Sequence, residues 1–202
     1  MRLRSYAILA LLFALAGPAA FADINELVAQ CEGCHGPGGI SEHSDVPTIA
    51  GQTAKFMEKT LRTYQVWGRP CIKSNYRHGD TTRPKTDMCQ VAEGLTGEDS
   101  KAISAHFSAL PFQAAPQEFD ANLAARGATL HGERCELCHE QGGALPDRGP
   151  RLAGQWMPYL KAALKFVPTG EHLVPPAMES AVAGLSGEDI DAILNFYASQ
   201  QD

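Results

Sequence analysis

The stretch that decides the fold is Cys31-Glu32-Gly33-Cys34-His35, which recurs as Cys135-Glu136-Leu137-Cys138-His139, 104 residues further along the chain. In each copy two cysteines are separated by two residues and followed at once by a histidine. A pattern this specific rarely occurs twice by chance. The recurrence therefore indicates an internal repeat.

Two further blocks of sequence recur in the same order. Residues 47–52 (PTIAGQ) match residues 150–155 (PRLAGQ), and residues 94–99 (GLTGED) match residues 184–189 (GLSGED). Three ordered matches indicate two copies of one module. The offset falls from 103 to 90 between the second and third blocks, so the first copy carries about 13 additional residues there.

The repeat also predicts the domain boundaries. Residues 111–116 contain two prolines and no helical period, which is typical of a linker. We expect a first domain over 23–110 and a second over 117–202. Each domain is too short to fill a large core with side chains alone, so a bound group is expected to complete it.

The first 22 residues have the pattern of a secretory signal peptide. Arg2 and Arg4 precede a short apolar run at 6–15, and Ala20-Phe21-Ala22 is a cleavage site of the A-x-A type. The apolar run is too short to cross a membrane, and no later segment is apolar enough to do so. We therefore predict export to the periplasm, with no membrane span after cleavage.

The predicted secondary structure is all-α. Before the first motif, apolar residues recur at helical spacing at Ile24, Leu27, Val28 and Cys31. Asp120 can cap a matching helix that leads into the second motif. Thr96 and Ser186 are predicted N-caps of a closing helix in each copy. We expect the buried faces of these two helices to comprise Ala102, Ile103, His106, Phe107 and Leu110 in the first, and Ala192, Ile193, Phe196 and Tyr197 in the second.

The repeated motif predicts covalent attachment of haem c. The thiols of Cys31 and Cys34, and of Cys135 and Cys138, would each form a thioether with a haem vinyl group. The following His35 and His139 would bind the two irons axially. A zinc site would need its two cysteine pairs much closer in sequence, and a thioredoxin-like site would need a βαβ context. We therefore predict two covalently bound haem c groups.

The second axial ligand has to come from elsewhere in each module. Among the methionines, only Met88 and Met178 occupy equivalent positions, each six residues before the shared glycine of the third block. We predict that they are the distal ligands. A thioether favours ferrous iron and raises the reduction potential. The alternative is that either methionine only packs at the edge of the haem.

A hydrogen bond is also expected behind each proximal histidine. A metal-binding imidazole generally donates its other N–H to a fixed acceptor. Pro47 and Pro150 follow the two motifs at matching positions, and their carbonyl groups are candidates for this acceptor.

Cys71 and Cys89 lie outside the motifs. Cys71 falls in the additional segment of the first copy, and Cys89 directly follows Met88. Export permits a disulfide between them, which would stabilise the fold by about 3 kcal/mol and restrain the segment that presents Met88. The alternative is that Cys89 is free and competes for iron as a thiolate.

Charge is distributed unevenly along the chain. The formal net charge is −6, yet residues 55–85 hold eight basic and two acidic side chains. The overall acidity argues against a nucleic acid partner. The basic segment could steer an acidic protein partner, or it could be an ordinary solvated surface.

Taken together, these motifs resemble the cytochrome c4 family of dihaem cytochromes. The resemblance rests on both CxxCH motifs, the Ala-Gly-Gln repeats, Met88, Met178 and the repeated GLT/SGED blocks. It implies two tandem class I cytochrome c domains in a pseudo-twofold arrangement. It also implies electron transfer to a terminal oxidase or another redox protein, by a carrier that is not itself an enzyme.

The second module is also similar to the cytochrome subunit of flavocytochrome c sulfide dehydrogenase. Residues 152–156 (LAGQW) and 196–201 (FYASQQ) carry this likeness. It implies, as an alternative partner, a flavoprotein that oxidises sulfide. An electron acceptor for a thiosulfate dehydrogenase would look much the same. A peroxidase is a further alternative, but it would need an open iron site.

Overall fold

The structure is a computed structural model that describes residues 23–201, so the predicted signal peptide lies outside the described residues. Within this range the chain forms eight α-helices and one short 3-10 helix, Pro37–Gly39. The first four helices are α1 Ile24–His35, α2 Ala54–Gln65, α3 Met88–Glu93 and α4 Gly97–Ser108. The last four are α5 Ala121–Arg134, α6 Met157–Lys165, α7 Pro176–Ala183 and α8 Gly187–Ser199. The all-α prediction is confirmed. Helices α1–α4 lie in the first half of the chain and helices α5–α8 in the second, so each half contains four helices.

Side-chain caps fix where several helices begin. Thr96 and Ser186 each accept a hydrogen bond from the backbone three residues on, and Asp99 and Asp189 accept one in return. These reciprocal pairs are the capping boxes expected from the sequence, with aspartate in place of the usual glutamate. Asp120 caps α5 as predicted. The hydrogen bonds from Thr96 and from Ser186 hold the pKa of Asp99 and of Asp189 below the usual value.

Each half of the chain has its own hydrophobic cluster. The first is built around Phe107 and Leu61, the second around Tyr197 and Leu160. One part of the expected faces is wrong, because Ala102 is exposed while Ser104 on the same helix is fully buried. Small side chains carry little periodic signal, so Ala102 was assigned to the buried face wrongly, whereas Ile103 and Phe107 are buried as predicted.

The closest helix contact in the second half is the crossing of α5 and α8. A Cβ atom on Gly127 would lie only 2.0 Å from the Ala192 carbonyl oxygen. Glycine therefore allows the two backbones to approach in a way that any larger residue would prevent. His131, one turn further along α5, is buried against α8, where its Nδ1 lies 2.9 Å from the Tyr197 hydroxyl.

The Ala-Gly-Gln repeats adopt the same backbone arrangement in both halves. The amides of Ile49 and Ala50 donate to the Gly39 carbonyl. The amides of Leu152 and Ala153 donate to the Gly143 carbonyl in the same way. The following glycines, Gly51 and Gly154, both have positive φ, and their amides donate to the carbonyls of Phe107 and Tyr197.

The additional residues of the first copy form an irregular segment, 66–87, between α2 and α3. Ser74 and Thr86 pair as an isolated antiparallel bridge, and Cys71 is joined to Cys89 by a disulfide with Cα atoms 5.6 Å apart. Cys89 is almost fully buried. No helix among the described residues is both long and apolar enough to cross a membrane.

Candidate haem-attachment sites

The first CxxCH motif lies on the last turn of α1, and its histidine is held in one orientation. The His35 Nδ1 atom lies 2.9 Å from the Pro47 carbonyl oxygen, and the side chain is buried. This is the hydrogen bond expected behind a metal ligand. Burial lowers the pKa of His35, outweighing the opposite effect of that hydrogen bond. The ring is therefore held as neutral imidazole, the form that binds a metal.

The second motif begins where α5 ends, and its histidine is held in the same way. The His139 Nδ1 atom lies 3.3 Å from the Pro150 carbonyl oxygen. Burial lowers the pKa of this imidazole as well. A Cβ atom on Gly149 would lie 2.6 Å from His139 Cε1, so glycine beside Pro150 makes room for the ring. In both halves the imidazole turns Nδ1 toward a proline carbonyl and leaves Nε2 as the nitrogen for another partner.

The four motif cysteines are not joined to one another or to any other described cysteine. Burial raises the pKa of the Cys31 thiol to about 12, with smaller contributions from Glu32 and Cys34. Burial also raises the pKa values of the Cys34 and Cys135 thiols. Cys138 is exposed. Leu137 between the second pair is 76% exposed, an apolar side chain that the protein leaves largely open to solvent.

A glutamate inside each motif ties the motif to the residues that follow it. Glu32 accepts a hydrogen bond from the Gly38 amide at 2.7 Å. Glu136 accepts one from the equivalent Gly142 amide at 3.1 Å and another from the Gln141 amide. Sequence reasoning did not find this role. The available signal was that glutamate occupies the same variable position in both copies.

The two methionines predicted as distal ligands lie in the first turns of equivalent short helices. Met88 begins α3, is partly buried and packs against the same hydrophobic cluster as Cys31. Met178 lies in the first turn of α7 and is also partly buried. Cys89 directly follows Met88 in sequence, and its sulfur is bonded to Cys71, so it is not a free thiolate.

Arg69 is a half-buried cation that sequence reasoning counted only as part of the basic segment. Its guanidinium lies over the Tyr64 ring, 5.2 Å from the centroid, and its Nη2 is 3.5 Å from the Tyr159 hydroxyl. The Nε atom is buried with no hydrogen-bond partner among residues 23–201. No carboxylate within that range forms an ion pair with this guanidinium, so it is available to an anionic group.

The rest of the basic segment is partly neutralised. Arg77 forms a two-point hydrogen-bonded pair with Asp45, at 2.8 and 2.7 Å. Lys73 lies 3.5 Å from Asp87, and Arg62 lies 3.8 Å from Glu58. The segment therefore presents fewer free positive charges than its composition indicates.

Several known proteins are similar to this chain in sequence or in structure. The family described as cytochrome c oxidase, cbb3-type, subunit III matches residues 122–196. The cytochrome c4 of Azotobacter vinelandii is 26% identical over 185 residues, covering 83% of each chain. A crystal structure of reduced recombinant cytochrome c4 from Pseudomonas stutzeri is 25% identical with a TM-score of 0.70, covering 88% of this chain and 98% of that one. The chain resembles the dihaem cytochromes c4.

The likeness to cytochrome c4 extends over both halves and confirms the expected tandem arrangement of cytochrome c domains. Another relative is the thiosulfate dehydrogenase electron acceptor of Stutzerimonas stutzeri, 27% identical over 87% of this chain and 81% of that protein. The chain is accordingly a dihaem c-type cytochrome that carries electrons, and its cofactors are two covalently bound haem c groups.

The residues present fit these cofactors. Each half offers two unbonded thiols, a buried neutral imidazole with one nitrogen already bonded, and a partly buried methionine. The unpartnered Nε of Arg69 could bind an anionic group.

Proposed function

We propose that the chain is a periplasmic electron carrier in which both haems have histidine and methionine as axial ligands. The observation that carries the proposal is the pair of equivalent histidines, His35 and His139. Each is buried, burial lowers the pKa of each, and each directs Nδ1 to a proline carbonyl. Two sites built alike, in a chain that resembles cytochrome c4, favour electron transfer between the haems and onward to a partner.

The proposed roles of the chain's own residues follow from their chemistry. Cys31, Cys34, Cys135 and Cys138 would hold the haems as thioethers. His35 and His139 would present Nε2 to iron while the proline carbonyls fix the tautomer. Bound haem supplies a one-electron redox couple to each half of the protein.

Met88 and Met178 are proposed to complete the axial coordination. A thioether ligand raises the reduction potential, and a filled axial position leaves no place on iron for a substrate. This favours a carrier over a peroxidase. The disulfide between Cys71 and Cys89 would hold the long segment 66–87 against the start of α3, where Met88 lies.

Arg69 is proposed to bind a haem carboxylate. The side chain is half-buried, and its buried Nε has no hydrogen-bond partner among the described residues, which is unfavourable unless an anion is supplied. Haem carries two propionate groups, and the guanidinium lies where Tyr64 of one half and Tyr159 of the other meet. This gives the unpartnered cation a defined role.

The physiological partner is proposed to be another redox protein. Two classes follow from the likenesses: a terminal oxidase, as the cytochrome c4 resemblance implies, or a sulfur-oxidising enzyme such as a sulfide dehydrogenase flavoprotein or a thiosulfate dehydrogenase. The relative named as a thiosulfate dehydrogenase electron acceptor favours keeping the second class.

The proposal is tested on protein matured in a host that attaches haem c. We expect two haems per chain, full reversible reduction by one electron each, and no binding of carbon monoxide to the ferrous protein. Rapid binding of carbon monoxide, or turnover with hydrogen peroxide, would contradict a carrier with both axial positions filled.

A further inference from the structure

The peptide group between Pro47 and Thr48 connects the first histidine to the other half of the protein. Its carbonyl lies 2.9 Å from His35 Nδ1, and its N–H, which belongs to Thr48, donates to Gln155 Oε1 at 3.2 Å. One planar peptide therefore accepts a hydrogen bond from the proximal histidine of the first half. The same peptide donates a hydrogen bond to a glutamine of the second half.

The second half contains the same connection in the opposite direction. The carbonyl of Pro150 lies 3.3 Å from His139 Nδ1, and the N–H of Arg151 donates to Gln52 Oε1 at 2.9 Å. Gln52 and Gln155 are the equivalent glutamines of the two Ala-Gly-Gln repeats. Each glutamine therefore reaches across to the peptide that supports the histidine of the opposite half.

The two glutamines are held rigidly in these positions. Gln155 Nε2 donates to the Thr48 carbonyl, and Gln52 Nε2 donates to the Arg151 carbonyl at 3.1 Å. Each glutamine side chain therefore forms hydrogen bonds with both the backbone N–H and the backbone carbonyl of one residue in the other half. Both glutamines and Thr48 are buried. The adjacent Trp156 adds a further cross-connection through its Nε1, which donates to the Ser41 carbonyl at 2.9 Å.

We infer that Gln52 and Gln155 are positioning residues through which each half sets the reduction potential of the haem in the other. The inference rests on the proposed ligation of iron by His35 and His139. A hydrogen bond to the N–H of a peptide polarises its carbonyl and makes it a stronger acceptor. A stronger acceptor on Nδ1 makes the imidazole a better donor to a metal. That stabilises ferric iron and lowers the potential.

This arrangement predicts that a substitution in one half changes the reduction potential of the haem in the other half. Replacing Gln155, in the second half, should raise the potential of the first haem. Replacing Gln52, in the first half, should raise the potential of the second. A residue that acted only on local packing would affect its own half first.

The experiment replaces each glutamine with methionine, which has similar length and no hydrogen-bonding amide. The matured holo-proteins Gln52→Met and Gln155→Met are titrated electrochemically. NMR of the ferric haem methyl resonances assigns each potential to one haem. At a fixed solution potential, we expect the oxidised-to-reduced ratio of the haem opposite the substitution to fall by up to about tenfold, equivalent to about 59 mV.

Gln117→Met is the matched control. Gln117 also uses its amide to bind backbone at two points, the Gln155 carbonyl and the Met157 amide, but both lie in its own half. It should leave the first haem unchanged. Shifts confined to the half that carries the substitution, or no shift in either haem, would overturn the inference.

A measurement on the unaltered protein covers the case in which a variant fails to mature. The Thr48 and Arg151 amides should be strongly protected from hydrogen exchange in the holo-protein. Rapid exchange of both would contradict the inference. Failure of the proposed coordination as a whole would be distinguishable, because the unaltered ferric protein would then lack the weak far-red absorption band of histidine and methionine coordination and the variants would be compared on a different ligand set.

Discussion

At the scale of single residues, the proposed haem sites depend on groups that hold the histidines as well as on the histidines themselves. The carbonyls of Pro47 and Pro150 fix the imidazoles, and Gly149 leaves room for one of them. Both proline roles could be predicted, because the prolines occupy equivalent positions after a motif of known chemistry. The roles of Glu32 and Glu136 could not, since a glutamate inside a motif has no pattern that distinguishes a tether from a surface charge.

Arg69 shows a second limit of sequence reasoning at this scale. It belongs to a run of basic residues, so composition predicts an exposed side chain. In the structure it lies between tyrosines of the two halves. Its burial depends on a tertiary contact with Tyr159, which is 90 residues away in sequence. No local sequence pattern encodes such a contact.

Replacing Arg69 with methionine should lower a haem reduction potential. Loss of a half-buried positive charge disfavours the reduced, less positive iron, and the charge is screened less than one in open solvent. Arg62→Met is the control, because the Arg62 side chain is 71% exposed and its charge is screened by solvent. Spectroelectrochemical titration of both variants provides the comparison. Equal potentials in the two would remove Arg69 from the haem site.

At the scale of elements, caps were easier to predict than faces. Thr96, Ser186 and Asp120 begin their helices as expected, because a capping residue acts through the nearest backbone amides. The face of α4 was partly misplaced at Ala102, since alanine fits either side of a helix. The short helices α3 and α7 were not predicted, because six to eight residues carry too little periodicity.

The crossing of α5 and α8 gives a prediction with a control on the same helix. Gly127→Ala should lower the free energy of unfolding by about 1–3 kcal/mol, because its Cβ would collide with the Ala192 carbonyl. At Gly132 an added Cβ meets nothing within 4 Å. Gly132→Ala should therefore be neutral or stabilising. Chemical denaturation of the holo-proteins measures both; equal stability would show that the helices do not cross this closely.

The disulfide links an irregular segment to a helix and gives another prediction. The double variant Cys71→Ser with Cys89→Ala should lose about 3 kcal/mol of stability, since the bridge no longer restricts the unfolded chain. It should also weaken the far-red band of the ferric protein at elevated temperature, because the start of α3 would be less restrained. A variant with full stability and an unchanged band would leave the bridge without either role.

At the scale of the whole molecule, the duplication explains most of what could be predicted. Two copies of one motif imply two haems, two similar folds and a pseudo-twofold arrangement. The contact between the copies could not be predicted, because Gln52 and Gln155 look like ordinary polar residues of a repeat. Their reciprocal hydrogen bonds to residues 151 and 48 become visible only when both halves are in place.

The proposed axial coordination of each haem is one histidine and one methionine. Met88→Leu, measured as the far-red absorption of the matured ferric protein, tests it most directly, with Met57→Leu in the hydrophobic core as the control. We predict that Met88→Leu removes about half of the band, in line with one of two equivalent thioether ligands, and that Met57→Leu leaves it intact. An unchanged band in Met88→Leu would contradict the claim for the first haem.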